Sequence, residues 1–178
     1  MALTTIAVSK LSTAVDRTSI PRAIKVLRDE AETRLATVEA QVSGADFKES
    51  VLAATAAALP AYTRAGNVLT ADAPGAFPSL DGVAVGAGKR FLHQHGSGSL
   101  AAHADNGIYT LTDAGGAGAW SATRASDMDA SAEVTAGLMV PVEQGTLYEG
   151  HHRQLKTVGA ITLNTTALAF AEPESIED

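Results

Sequence analysis

The chain has 178 residues, of which 46% are hydrophobic but only 4% aromatic, with a formal net charge of −7 and no cysteine. Without cysteine there is no disulfide framework, thiol nucleophile or zinc–thiolate site. The acidic balance argues against nucleic-acid binding, which rests on Lys and Arg at phosphates. Much of the apolar fraction is alanine, which buries little surface at roughly 25 cal/mol per Å². A monomer built this way has a thin core, so self-association or docking on a larger surface is expected to add stability.

Residues 1–18 read as an arm in which Leu3, Ile6 and Val8 alternate with polar groups at strand period and are candidates for docking on a neighbour. Its start, Met-Ala-Leu-Thr-Thr-Ile, has neither the basic region nor the apolar core of a signal peptide. No apolar run is long enough to span a bilayer. Synthesis in a cytoplasm and no membrane partner are therefore expected.

Residues 19–44 carry the clearest helix pattern. Ser19 is a good N-cap, Pro21 falls in the first turn, and Gly44 suits a left-handed C-cap. The apolar stripe is Ile20, Ile24, Leu27, Ala31, Leu35, Val38 and Val42. Its first four members recur eleven residues later, a period of about 3.67 per turn that predicts straight or slightly right-handed packing. The stripe is narrow and its flanks are charged, and such a helix is marginal alone. Packing against the same helix in other protomers, as a trimeric coiled coil, is preferred; an intramolecular helix covering a sheet is the alternative.

Residues 45–60 are transitional and either extend the helix or form a first strand. Residues 61–171 read as a β domain, with strands expected near 67–71, 82–85, 89–95, 107–112, 119–124, 137–142, 153–157 and 166–171. Turn signals such as Asp81-Gly82, Gly96-Ser-Gly98, Asn106-Gly107 and Gly115-Gly116 separate them. Residues 172–178 form an acidic tail. The expected class is α+β in a broad sense: an arm and an oligomerising helix, then an antiparallel β-sandwich or small barrel.

Several segments in order resemble a β domain common in tailed-bacteriophage virion proteins, the tail-fibre, head-fibre and capsid-decoration proteins. They are "ALPAYTRAGNVLTADAPGAFPSLDGVAV", "GKRFL", "NGIYTLTDAGGAGAWSATRASDMDASAEVTAGLMVPVEQGT" and "ITLNTTALAFA", together covering about residues 55–171. "HQHGSGSLAAHA" and "YEGHHRQLKTVGA" depart from the pattern. The resemblance implies a structural protein located in a virion, with no catalytic residues and no cofactor. The expected partners are further copies of the chain, as a homotrimer, and the major capsid protein or another virion protein. A short tail or baseplate fibre and a host-glycan-binding adsorption protein are the alternatives, with a depolymerase behind them.

Three features carry possible chemistry. Asp127, Asp129, Ser131 and Glu133 have a spacing similar to a calcium loop, but the loop glycine is missing and the ligands are few. A turn in which Arg124 pairs with Asp127 or Glu133 is the simpler expectation. His93 and His95 lie two apart, on one side of a strand; near a threefold axis they would offer six imidazoles to a metal, while a solvated loop is the plain alternative. His103, His151 and His152 are expected on the surface. Trp120 and Tyr109 are expected in the core with Phe91, Leu138, Val140, Ile161 and Phe170, a sugar platform being the alternative for Trp120. "Gly96-Ser97-Gly98-Ser99" lacks the nucleophile-elbow spacing. "GVAVGAGKR" has Arg90 where a phosphate loop needs Ser or Thr.

Overall fold

The structure is a computed structural model that describes Lys25 and residues 27–32, 46–96 and 100–173. The chain divides into two units, Met1–Gly44 and Ala45–Asp178. In the first, Lys25 and residues 27–32 are helical and exposed. Lys25 Nζ meets Asp29 Oδ2 at 3.4 Å across one turn, an exposed pair that contributes little. Leu27 is 57% exposed. The arm positions Leu3, Ile6 and Val8 and the stripe positions Ile20, Ile24, Leu35, Val38 and Val42 lie outside the described residues.

The second unit is β-rich. It has nine strands among the described residues: β1 Ala53–Ala54, β2 Tyr62–Ala65, β3 Val68–Ala71, β4 Arg90–His93, β5 Gly107–Asp113, β6 Ser121–Arg124, β7 Met139–Pro141, β8 His152–Leu155 and β9 Phe170–Ala171. They form a six-stranded sheet in the order β1-β4-β5-β6-β3-β2 and a three-stranded sheet in the order β7-β8-β9. Within this unit the described residues add only a single 3-10 turn, Ser131–Glu133. The second unit is thus β-rich as expected, while of the helix expected over 19–44 only Lys25 and residues 27–32 fall among the described residues, and these are helical.

The expectation of a purely antiparallel domain needs correction. β1 pairs parallel to β4, with Ala53 opposite Phe91 and Ala54 opposite Leu92. Just before it, Phe47 and Val51 bridge in parallel to Met139 and Val142. Val51 N donates to Pro141 O at 2.9 Å, while Leu52 N donates to Arg90 O at 2.9 Å. One extended segment therefore leaves the small sheet and enters the large one, a corner strand of the kind that joins packed sheets. The transitional segment 45–60 becomes this corner and not a helical extension. The sheets are tied again where His103 and Leu168 exchange backbone bonds of 3.1 and 2.9 Å.

The core follows from strand alternation. Phe91, Tyr109 and Ala53 belong to one cluster with Leu69, Leu111, Ala122 and Trp120. Their chain neighbours Leu92, Ile108 and Ala54 belong to a second, with Val140, Leu155, Leu168 and Phe170 from the small sheet and its flanks. Successive side chains point to opposite faces, so β1, β4 and β5 are buried on both sides. On β3, by contrast, Leu69 and Ala71 are buried while Thr70 is exposed.

Most expected strands appear, several of them shortened, while β5 runs one residue further and β8 begins one residue earlier than expected. The exception is 82–85. Asp81 and Gly82 make a turn with φ of 49° and 83°, and Leu80 and Val83 pair across it in a single bridge. The turn signal was sound, but no strand continues from it. β2 was not expected as a strand.

Because both clusters share the central strands, Phe91→Ala and Leu92→Ala should each lower the unfolding free energy by about 2–5 kcal/mol. Urea unfolding followed by circular dichroism and by Trp120 fluorescence should show one coincident transition in each variant. Separate transitions for the two probes would mean that the sheets fold independently.

Candidate functional site

One end of the Trp120 side of the large sheet is polar. β2 places Tyr62 and Arg64 there, β4 places His93, and β6 places Arg124 beside Tyr109, its cross-strand partner on β5. The loop before β5, residues 101–106, folds against these groups.

Asp105 is the hub of the outer part. Its Oδ1 accepts from Arg64 Nε in a short ion pair, and its Oδ2 accepts from Tyr62 Oη at 3.2 Å. Tyr62 Oη also lies 3.0 Å from His93 Nε2. Tyr109 Oη donates to Asp105 O at 2.8 Å. Burial, reinforced by the negative charge of Asp105, raises the Tyr62 pKa. Burial pushes Tyr109 up to about 12. Both phenols therefore stay protonated and act as fixed donors.

Arg124 is the hub of the inner part. Only 3% of it is exposed. Its Nη1 donates to Asn106 O at 3.1 Å, Nη2 to Ala104 O at 2.9 Å, and Nε to Asn164 Oδ1 at 2.9 Å. The guanidinium lies 4.9 Å from the centre of the Tyr109 ring, a favourable cation–π geometry. A Cβ at Gly107, where φ is +150°, would overlap Arg124 Nη1, so glycine is required at that position. The expected pairing of Arg124 with Asp127 or Glu133 is not what forms. The loop carbonyls, brought over β6 by the β5–β6 register, are its partners.

Asn106, fully buried, completes the loop. Its Oδ1 accepts from Gly96 N at 2.9 Å, and its Nδ2 donates to Ala101 O at 2.9 Å and Leu168 O at 2.8 Å. On the other face of the sheet, Arg153 Nε donates to Gln94 Oε1 at 3.0 Å, and Gln94 Nε2 donates to Thr55 O at 3.0 Å. Thr55 Oγ1 lies 3.2 Å from His95 Nδ1. Burial lowers the pKa of both Arg124 and Arg153, against the nearby tyrosines that favour their charged forms.

The metal candidates fall in two separate settings. His93 and His95 are 0% and 7% exposed, so the solvated-loop expectation is corrected: the pair continues from β4 into the interior. His93 holds Tyr62 through Nε2, and its Nδ1 is buried without a partner. Asp127 takes a two-pronged ion pair from Arg90, with Nη1 to Oδ1 at 3.0 Å and Nη2 to Oδ2 at 2.7 Å. Burial works against its ionisation, but the Arg90 bonds and charge outweigh it and hold the carboxyl below its usual range. Glu133 Oε2 turns back to accept from Asp129 N and Ala130 N, both at 3.0 Å, as capping carboxylates do. The Asp129 residue itself is exposed. Among the described residues, no three His, Asp or Glu side chains are grouped so as to hold a metal ion.

Trp120 is 1% exposed and lies edge-on to Phe77 at 5.1 Å, in the core as expected. Phe91, Tyr109, Leu138, Val140 and Phe170 are buried with it, and Ile161 is partly so. His151 and His152 are exposed as expected.

Two outcomes follow. Burial lowers the His93 pKa to about 3, below the ordinary value of about 6.5 that applies when unfolded. The unfolded chain then binds the extra proton first, and stability falls as pH drops from about 6.5 toward 3. Between pH 7 and pH 5 this amounts to about 2 kcal/mol. Urea midpoints at the two pH values should show that loss in the native chain and less of it in His93→Gln. Separately, Arg124→Met should destabilise by about 3–5 kcal/mol, because three oxygens lose a charged donor in a buried site. A loss below 1 kcal/mol would mean that water replaces the guanidinium.

Comparison of the chain with protein-family models, with curated proteins and with solved structures returns no match.

Proposed function

We propose that this chain is a non-enzymatic structural protein of a tailed-bacteriophage virion. In this reading it is a decoration, cement or head-fibre protein that docks on the capsid surface as a homo-oligomer. The observation that carries the reading is the use made of the polar side chains. Arg124, Asn106 and Arg153 spend their donors on loop and strand oxygens. Asp105 and Asp127 are neutralised by Arg64 and Arg90. These groups fasten turns to sheets; Asp105, which also borders a cleft with His95, is held by Arg64 and Tyr62 as an anchor for the loop, whereas hydrolysis requires a free acid and base facing each other across the reacting bond. The resemblance of residues 55–171 to virion β domains supplies the setting.

The first unit supplies the anchor in this proposal. The stripe from Ile20 to Val42 would oligomerise, and Leu3, Ile6 and Val8 would lie along the major capsid protein or another virion protein. Docking only on the assembled lattice would stabilise that lattice by mass action.

Heads purified free of tails should retain the protein in many copies, as read by quantitative mass spectrometry. Finding it in tails and not in heads would overturn the capsid assignment. Sedimentation of the isolated protein at micromolar concentration should give a trimer; a monomer would remove the oligomeric part.

A further inference from the structure

An open cleft of about 330 Å³ lies beside the Asp105 hub, lined by apolar Leu59, Pro60 and Ala61 and by polar Tyr62, His95 and Asp105. Pockets of this size suit small ligands, and this one offers polar and apolar surface in about equal measure. The charge state of the lining selects the ligand. Asp105 is compensated by Arg64, and burial keeps His95 below its ordinary pKa and hence neutral. The cleft therefore offers no net charge to a cation or an anion. Hydrogen-bonding capacity nevertheless remains. A carboxylate has about four acceptor positions, of which Arg64 and Tyr62 use one on each Asp105 oxygen. His95 spends Nδ1 on Thr55, and its Nε2 has no hydrogen-bond partner among the described residues.

We propose that this cleft is a subsite for a neutral saccharide. A pyranose matches the lining on both counts: its hydroxyl edge meets the Asp105 acceptors and the His95 nitrogen, and its C–H face lies against Leu59 and Pro60. A second hollow of about 170 Å³ shares Pro60 and Ala61 with the first and is bordered by Asp72 and Trp120. It gives room for a further sugar unit across the Pro60–Ala61 ridge. Trp120 borders that hollow but, being buried, is not an exposed stacking platform. The proposal does not depend on where the chain sits in a particle.

The test is amide NMR on the full chain, titrated with glucose and galactose, with the disaccharides maltose and lactose, and with glucosamine and glucuronate as charged controls. Neutral sugars should shift the amides of residues 58–62, 95 and 105 with millimolar affinity. A disaccharide binding more tightly and also shifting the Trp120 indole would point to an oligosaccharide source; equal affinities would point to free monosaccharides. Ala58→Trp, at an exposed position on the rim, should weaken binding about tenfold or more while leaving the urea midpoint unchanged. The proposal is overturned by three results: no shifts at these residues with any neutral sugar, stronger binding of glucosamine or glucuronate, or undiminished binding to a folded Ala58→Trp.

Discussion

A buried guanidinium with no acidic partner organises the polar end of this β unit. Arg124 carries its charge into the interior and meets the oxygens of Asn106, Ala104 and Asn164, with the Tyr109 ring alongside. Such a group is tolerated only where its N–H donors are satisfied. That condition dictates the neighbourhood. The loop before β5 must present carbonyls inward, Gly107 must lack a side chain, and Asn164 must adopt its left-handed backbone with φ of 66° to bring its amide close. Asp105 then falls where Arg64 and Tyr62 can reach it. Breaking the central group would release the loop, both phenols and the His93 contact together.

The arrangement suits the composition. Few large side chains are available, and the core is assembled from Ala53, Ala54, Ala71, Ala122 and Ala125 as much as from Phe91 or Trp120. Small side chains let strands approach but bury little area each. Charged and amide groups supply the remaining cohesion through directional bonds to main-chain oxygens. Arg153 repeats the device on the other face, joining Gln94 after β4 to Phe170 of β9. The two arginines thus fasten opposite faces of the same central strand region.

Much of the sheet architecture was legible because β4, β5 and β6 carry β-branched and aromatic residues between glycine turns. β1 was obscured for a physical reason. Buried on both faces, Ala53 and Ala54 show no polar alternation, and alanine has no strand preference. β2 was hidden by its brevity between Pro60 and Gly66. The partner of Arg124 was misread because acids nearby in sequence, Asp127 and Glu133, were available. The carbonyls that it uses are set by strand register, which residue types do not encode. The burial of the histidines was hidden for a related reason: the glycines and serines after His95 describe a solvated loop, while His93 ends β4 and His95, just beyond it, is still buried. The cleft gave no sequence signal, since its apolar wall is an irregular alanine-rich segment.

The corner segment has a consequence for the order of events during synthesis. Val51 finds its backbone partners at Pro141 and Glu143, and Ala53 pairs beside Phe91. Neither sheet can be completed at this edge until the later partner has left the ribosome. Contacts so distant in sequence carry a large loop-closure entropy and are made slowly. The β2–β3 and β5–β6 hairpins, by contrast, close from local sequence. A chain with its hairpins formed but the 47–54 segment undocked would leave the β4 edge unpaired, and that is the form most exposed to mispairing with other strands.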